Sequence, residues 1–211
     1  MMTRLLDPFS ALARWCAWFG GVLLLVAALT VTAEVVMRKL VSPVLGPEYN
    51  FTGSDEIAAY LFAVGTSLSF AHVVLTRGNV RIDAVYRLFG PRVRVLMDVL
   101  ALLALLVFAA VLLERAWSVA SLSYTDWIVS NTTLRVPLAI PQLAWLVGLA
   151  IFFLALLLLL AATLAALLRG DMGEAARIGG AVSAQEEVSE ELSELGINRH
   201  TRQRPPGHDQ N

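Results

Sequence analysis

The chain holds one cysteine, Cys16, three histidines, and only 16% charged residues in 211. A single cysteine excludes an internal disulfide and any cysteine-based metal site. His72 lies in an apolar stretch, whereas His200 and His208 fall near the C-terminal end. A haem held by two intramembrane histidines therefore cannot be built within one chain, nor can a histidine-rich metal site. There is no G-x-S-x-G, no H-E-x-x-H and no phosphate-cradling glycine loop. Cys16, beside Trp15, reads as an interfacial filler and not as a nucleophile. The net charge is -1 and no basic stripe appears, so no nucleic-acid partner is expected. No catalytic residue, metal ligand or cofactor is assigned.

What the chain has in abundance is apolar length. Residues are 57% hydrophobic, and four runs dominate: Gly20–Val36, Ile57–Ala71, Val95–Leu113 and Leu138–Leu168. Their only charges are Glu34 and Asp98. The third run, as a helix, is ~28 Å long, close to the thickness of the hydrocarbon core. The first two reach that length once flanking residues are counted. Lipid cannot hydrogen-bond free backbone groups, so such runs cross as helices. The fold class is all-α integral membrane with four transmembrane helices, and the lipid bilayer is the first partner.

Three regions follow: a short N-terminus (1–14), a four-helix membrane domain (15–168) and an acidic, largely disordered tail (169–211). The first apolar stretch, Trp15 to Val36, exceeds a signal-peptide core of about 7–15 residues and reads as a retained helix. The N-terminus, the segment between the second and third helices and the start of the tail together hold nine arginines: Arg4, Arg14, Arg77, Arg81, Arg87, Arg92, Arg94, Arg169 and Arg177. Only Arg38, Lys39, Arg115 and Arg135 lie opposite, so both termini are expected in the cytoplasm. The first helix should end before Ser42-Pro43, and Thr52 should cap the second. Ile82, Val85, Tyr86 and Phe89, spaced i, i+3, i+4 and i+7, predict a short cytoplasmic interfacial helix over 80–89. Ser118 to Thr133 reads as an outer loop. In the tail, Ser183 and Glu186 match a capping box opening a marginal helix.

A few polar residues fall at membrane depth. Glu34 and Arg38, four apart, form either a local ion pair at the boundary or a contact with another subunit. Gly65, Ser69, His72 and Thr76 form one stripe with Ala58 and Phe62, suited to close packing against this chain's own helices or a partner's. Asp98 is placed in the first turn of the third helix, where the helix dipole favours a carboxylate. Nothing resembles the interrupted midplane helices of a carrier acting alone. Arg38-Lys39 oppose the orientation rule and call for a reason beyond topology, such as docking of a soluble protein on the outer face.

The stretch from Thr52 to Tyr86 resembles the small membrane subunit of tripartite ATP-independent periplasmic (TRAP) transporters, the DctQ-like family. The features that match are Glu56 opening the second helix, a Gly/Ser/Ala-rich half from Gly65 to Ala71, the exit Arg77-Gly78, and the element Asn79-Val80-Arg81-Ile82-Asp83. Arg38 closing the first helix and Thr133-Leu134 with Pro137 before the fourth also match. Asn79 departs from the histidine that relatives often carry there. The resemblance covers roughly residues 15–168. It implies a multi-pass protein of the bacterial inner membrane. Its partners would be a large membrane subunit, which holds the sodium and substrate sites, and a periplasmic solute-binding protein delivering an organic acid. This chain would be the fixed scaffold, with Glu34, Glu56, Gly65, Ser69, His72, Asn79, Arg81 and Asp83 as subunit-interface candidates. Arg38, Lys39 and Arg135 are the receptor-docking candidates. Two alternatives stand beside it: a small homo-oligomeric proton-coupled exporter built around Glu34, and an assembly subunit of another inner-membrane complex.

Overall fold

The computed structural model describes residues 3–46, 53–77, 89–132 and 134–180. Six helices lie among them: α1 (Thr3–Val36), α2 (Ser42–Leu45), α3 (Ser54–Leu75), α4 (Pro91–Thr125), α5 (Ala139–Leu168) and α6 (Met172–Gly179). Four are long and apolar enough to cross a membrane, spanning Pro8–Val44, Ser54–Leu75, Arg92–Thr125 and Ala139–Leu168. The chain is an all-α, four-span membrane protein.

Small residues at seven-residue spacing explain how the helices meet. On α1 the buried positions are Ala13, Gly20, Ala27 and Glu34, and α4 carries a parallel series, Val95, Leu102, Ala109, Ala116 and Ser123, with Asp98 and Ala120 buried beside it. A strict seven-residue repeat keeps one narrow seam facing a single neighbour. Accordingly α1 packs chiefly on α3 and only slightly on α5. In contrast α5 is buried on two sides, through Leu146, Gly148, Phe152 and Ala155 and on to Leu159, Thr163 and Ala166. It takes α3 on one flank and α4 on the other. The main contacts therefore run α1–α3–α5–α4, a row with broad open faces. Val22, Leu25 and Leu29 on α1, and Leu103, Val107 and Phe108 on α4, remain exposed on those faces.

The structure departs from the sequence reading at four places. The first helix does not end before Ser42-Pro43. It widens into a π turn over Met37–Val41 and continues as α2 to Gly46, whose φ is 114°. Pro43 sits at the start of α2, where its missing N–H costs nothing, and the widened turn absorbs the break in the ladder. Second, Ser118 to Thr125 is helical and not loop. Ser121 donates to the Ser118 carbonyl at 3.0 Å and Thr125 to the Ser121 carbonyl at 2.9 Å, so the hydroxyls are satisfied without leaving the helix.

Third, Asp98 is not in a first turn. α4 begins at Pro91, which puts Asp98 two turns in and 3% exposed. Fourth, the tail opens with α6, capped by Asp171, which accepts from the Glu174 amide at 2.9 Å. Ala175 and Ile178 pack on Val95, Ala166 and Leu167, closing the terminal end of the α4–α5 pair. The position before α3 is taken by Gly53, at φ 115°, with Thr52 outside the described residues. The expected interfacial helix (80–89), the capping-box helix and Asn79, Arg81 and Asp83 also lie outside them.

Candidate functional site

The first turn of α3 is where most membrane-depth polarity converges. Ser54 is 1% exposed and donates its hydroxyl to Glu34 on α1, whose other carboxylate oxygen receives Arg38. Glu34 is itself 7% exposed, while the Arg38 side chain is 62% exposed, so the pair is a buried acid reached by a boundary arginine. Two residues along, Glu56 accepts from Tyr60 at 2.6 Å and from Thr132. With its proton directed at Glu56, Thr132 accepts from Ser130 at 2.9 Å, and Ser130 in turn accepts from the Val136 amide at 3.2 Å. Donors thus run in one direction from the 128–138 segment to a single carboxylate. Both acids sit at an α3 N-terminus, where the helix dipole favours negative charge.

That segment is a tight hairpin. Val129 bridges Pro137, Ser130 N donates to Val136 O at 2.9 Å, and Leu138 N donates to Ile128 O at 3.0 Å. Trp127 and Arg135 take left-handed backbone, with φ 50° and 48°. Gly53 completes the seat, since a Cβ there would stand 2.7 Å from the Leu134 side chain. Glu34 and Glu56 therefore tie α1 and the hairpin to one helical turn.

Below this end, the α3 stripe meets α1. A Cβ on Gly65 would lie 2.8 Å from the Gly20 carbonyl oxygen, and one on Gly20 would lie 2.5 Å from the Gly65 carbonyl oxygen. Ser69 donates to Gly65 O at 2.9 Å and stands against Gly20. Gly65 and Ser69 thus pack within this chain, which was one of the two readings of the stripe. The opposite face of α3 meets α5 where Gly148 backs onto Ser67 and Leu68, with a would-be Cβ 2.8 Å from Leu68 N. Gly20, Ser54, Ser67, Gly148 and Thr132 were not singled out from the sequence. The Gly20-Gly21 pair and the lone glycine in a leucine-rich run were the available signals.

His72 is half-buried and faces a groove toward Arg14. Lys39 is exposed in the π turn and Arg135 is exposed at the hairpin. Among the described residues no group of three or more His, Cys, Asp or Glu could hold a metal ion.

Residues 27–166 match the family described as tripartite ATP-independent periplasmic transporters, DctQ component. The chain belongs to the DctQ family. The match runs from the second half of α1 almost to the end of α5 and so takes in the α3 hub, the hairpin and the Gly148 seam, while Gly20 precedes it. DctQ proteins are the small membrane component of TRAP transporters and work with a large membrane subunit and a periplasmic binding protein. It is a transporter family and not an enzyme family. Comparisons with curated proteins and with solved structures returned no match.

Proposed function

We propose that this DctQ protein is the fixed scaffold of a sodium-driven transporter that takes up an organic acid delivered by a periplasmic receptor. Family membership across the four spans carries the reading. The geometry supports it: Glu34, Ser54 and Glu56 are engaged in holding the chain's own helices and hairpin, and the row of helices leaves wide apolar faces for a partner. The sodium and substrate sites belong to the large subunit, which moves against this chain. Both termini lie in the cytoplasm of a bacterial cell, which places α2, the π turn and the hairpin on the periplasmic side. Lys39 and Arg135 then stand where a receptor docks, and Arg38 shares its charge with Glu34. Glu56, Gly65 and Ser69 act within this chain, so the surface offered to the large subunit is the exposed apolar face of α1 and α4. The interface candidates Asn79, Arg81 and Asp83 follow α3 in the sequence, in the cytoplasmic segment.

The exporter reading loses its footing, because Glu34 lies near the end of α1 with two partners in its own chain. The test is co-expression with a large TRAP permease and a periplasmic binding protein from the same organism. The three should yield a membrane complex in which labelled organic acid uptake needs sodium, the receptor and this chain. Uptake that proceeds with the small subunit omitted would overturn the proposal.

A further inference from the structure

Between α1 and α3 an open groove of about 500 Å³ runs along the membrane-facing side of the molecule. That volume falls in the range of small-ligand sites, about 300–1,000 Å³. Arg14, Trp18, Gly21, Val22 and Leu25 supply its α1 wall and His72 its α3 wall. The α1 positions are spaced i, i+4, i+7, i+8 and i+11, one stripe of a helix lying beside the Ala13–Gly20–Ala27 seam. Polarity is confined to one end. Arg14 and His72 stand near the terminal end of their helices, and the remaining lining is apolar. No acidic residue lines the groove.

Length decides what such a groove fits. From Arg14 to Leu25 is eleven residues, about 16 Å of helix. Half of a ~30 Å hydrocarbon core is about 15 Å, the depth of a single leaflet. The notch itself arises at Gly21, where a Cβ would meet nothing within 4 Å, although the adjacent Gly20 is in tight contact with Gly65. A cation at headgroup level, an apolar trough one leaflet deep and a lateral opening match one lipid molecule. Arg14 makes a bidentate donor for a phosphodiester, and His72 adds a second donor beside it. Basic pockets between membrane helices are suited to anionic headgroups.

We infer that this groove binds one anionic phospholipid from the leaflet on the side of the termini, its phosphate held by Arg14 and His72 and an acyl chain laid over Gly21 to Leu25. The site is independent of what the transporter carries.

Brominated-lipid quenching tests it in the full-length chain, alone and in complex with the large subunit. A variant keeping only Trp18 reports on the groove. A variant keeping only Trp15, which is as exposed as Trp18 and lies about one turn away (~4.5 Å) but outside the lining, reports on ordinary surrounding lipid. In phosphatidylcholine nanodiscs, brominated phosphatidylglycerol should quench Trp18 several-fold more than brominated phosphatidylcholine does. Trp15 should show little preference. Arg14→Gln should abolish the preference at Trp18, and Gly21→Leu, whose Cβ meets nothing within 4 Å and whose side chain then extends into the notch, should abolish quenching specific to the groove.

A second measurement avoids tryptophan substitution. The wild-type chain, purified from membranes of mixed phosphatidylethanolamine and phosphatidylglycerol, should retain phosphatidylglycerol through detergent exchange, and both variants should lose it. Equal quenching by the two lipids, equal preference at Trp15, or retention unaffected by Gly21→Leu overturns the inference. Absence of any quenching at Trp18 in the complex also overturns it, as a protein segment filling the groove would give that result.

Discussion

Adding one methyl group at Gly148 should loosen the α3–α5 seam. A Cβ at this position would stand 2.7 Å from the Ser67 carbonyl carbon and 2.8 Å from the Leu68 amide nitrogen. These are backbone atoms in the middle of α3, so no rotamer change relieves the contact and the helices must separate. Overpacking of this kind costs about 1–3 kcal/mol. Alanine's better helix propensity offsets up to about 1 kcal/mol of that. The net expectation for Gly148→Ala is a loss of about 1–2 kcal/mol, roughly a tenfold fall in the folded-to-unfolded ratio.

The internal control is Gly21→Ala, where nothing lies within 4 Å and only the propensity gain operates. Reversible unfolding in mild detergent with a rising fraction of sodium dodecyl sulfate, followed by circular dichroism, measures both. Gly148→Ala should unfold at a lower fraction than wild type, Gly148→Val at a lower one still, and Gly21→Ala at an equal or higher one. A Gly148→Ala protein as stable as wild type, or a Gly21→Ala protein equally weakened, would refute the seam.

Ser54→Ala removes the hydroxyl that reaches buried Glu34, and hydrogen bonds to charged groups contribute about 1.5–3 kcal/mol. A double-mutant cycle with Glu34→Gln should give a coupling above about 0.5 kcal/mol. Thr132→Val breaks the link from the hairpin to Glu56, so the Ser130 and Arg135 amides should exchange hydrogen faster while mid-α3 amides stay protected. Lys39→Ala with Arg135→Ala should slow receptor-dependent uptake, as raised salt does in wild type, because exposed charges are screened beyond ~8–10 Å. The two membrane subunits should stay assembled. Arg38→Ala should behave differently, lowering stability by leaving Glu34 with Ser54 alone.

The four spans were legible because the bilayer leaves a long uncharged run no alternative to a helix. Helix ends were less so. Pro43 reads as a stop, yet the π turn before it lets the chain continue. The serines and threonines from Ser118 to Thr125 read as loop, yet Ser121 and Thr125 bond the turn behind them. The α3 stripe could be read from spacing, since Gly65 and Ser69 share a face. Its occupant could not, because the seven-residue repeat of α1 is spread thinly across alanine and glycine among larger apolar residues. The links from Ser54 to Glu34 and from Thr132 to Glu56 join residues 20 and 76 positions apart, and no local pattern encodes them.

A covalent link between this chain and the large subunit gives the most direct test of the scaffold role. With Cys16 replaced by serine, a disulfide is placed between an exposed face of α1 and a facing helix from the stationary part of the large subunit. Sodium-driven, receptor-dependent uptake is then measured in proteoliposomes before and after reduction. A fixed scaffold predicts the same uptake rate linked or reduced, and background uptake when this chain is left out. Uptake that stops on linking and returns on reduction would show that this chain shifts against the stationary part of the large subunit during transport, and would contradict the account.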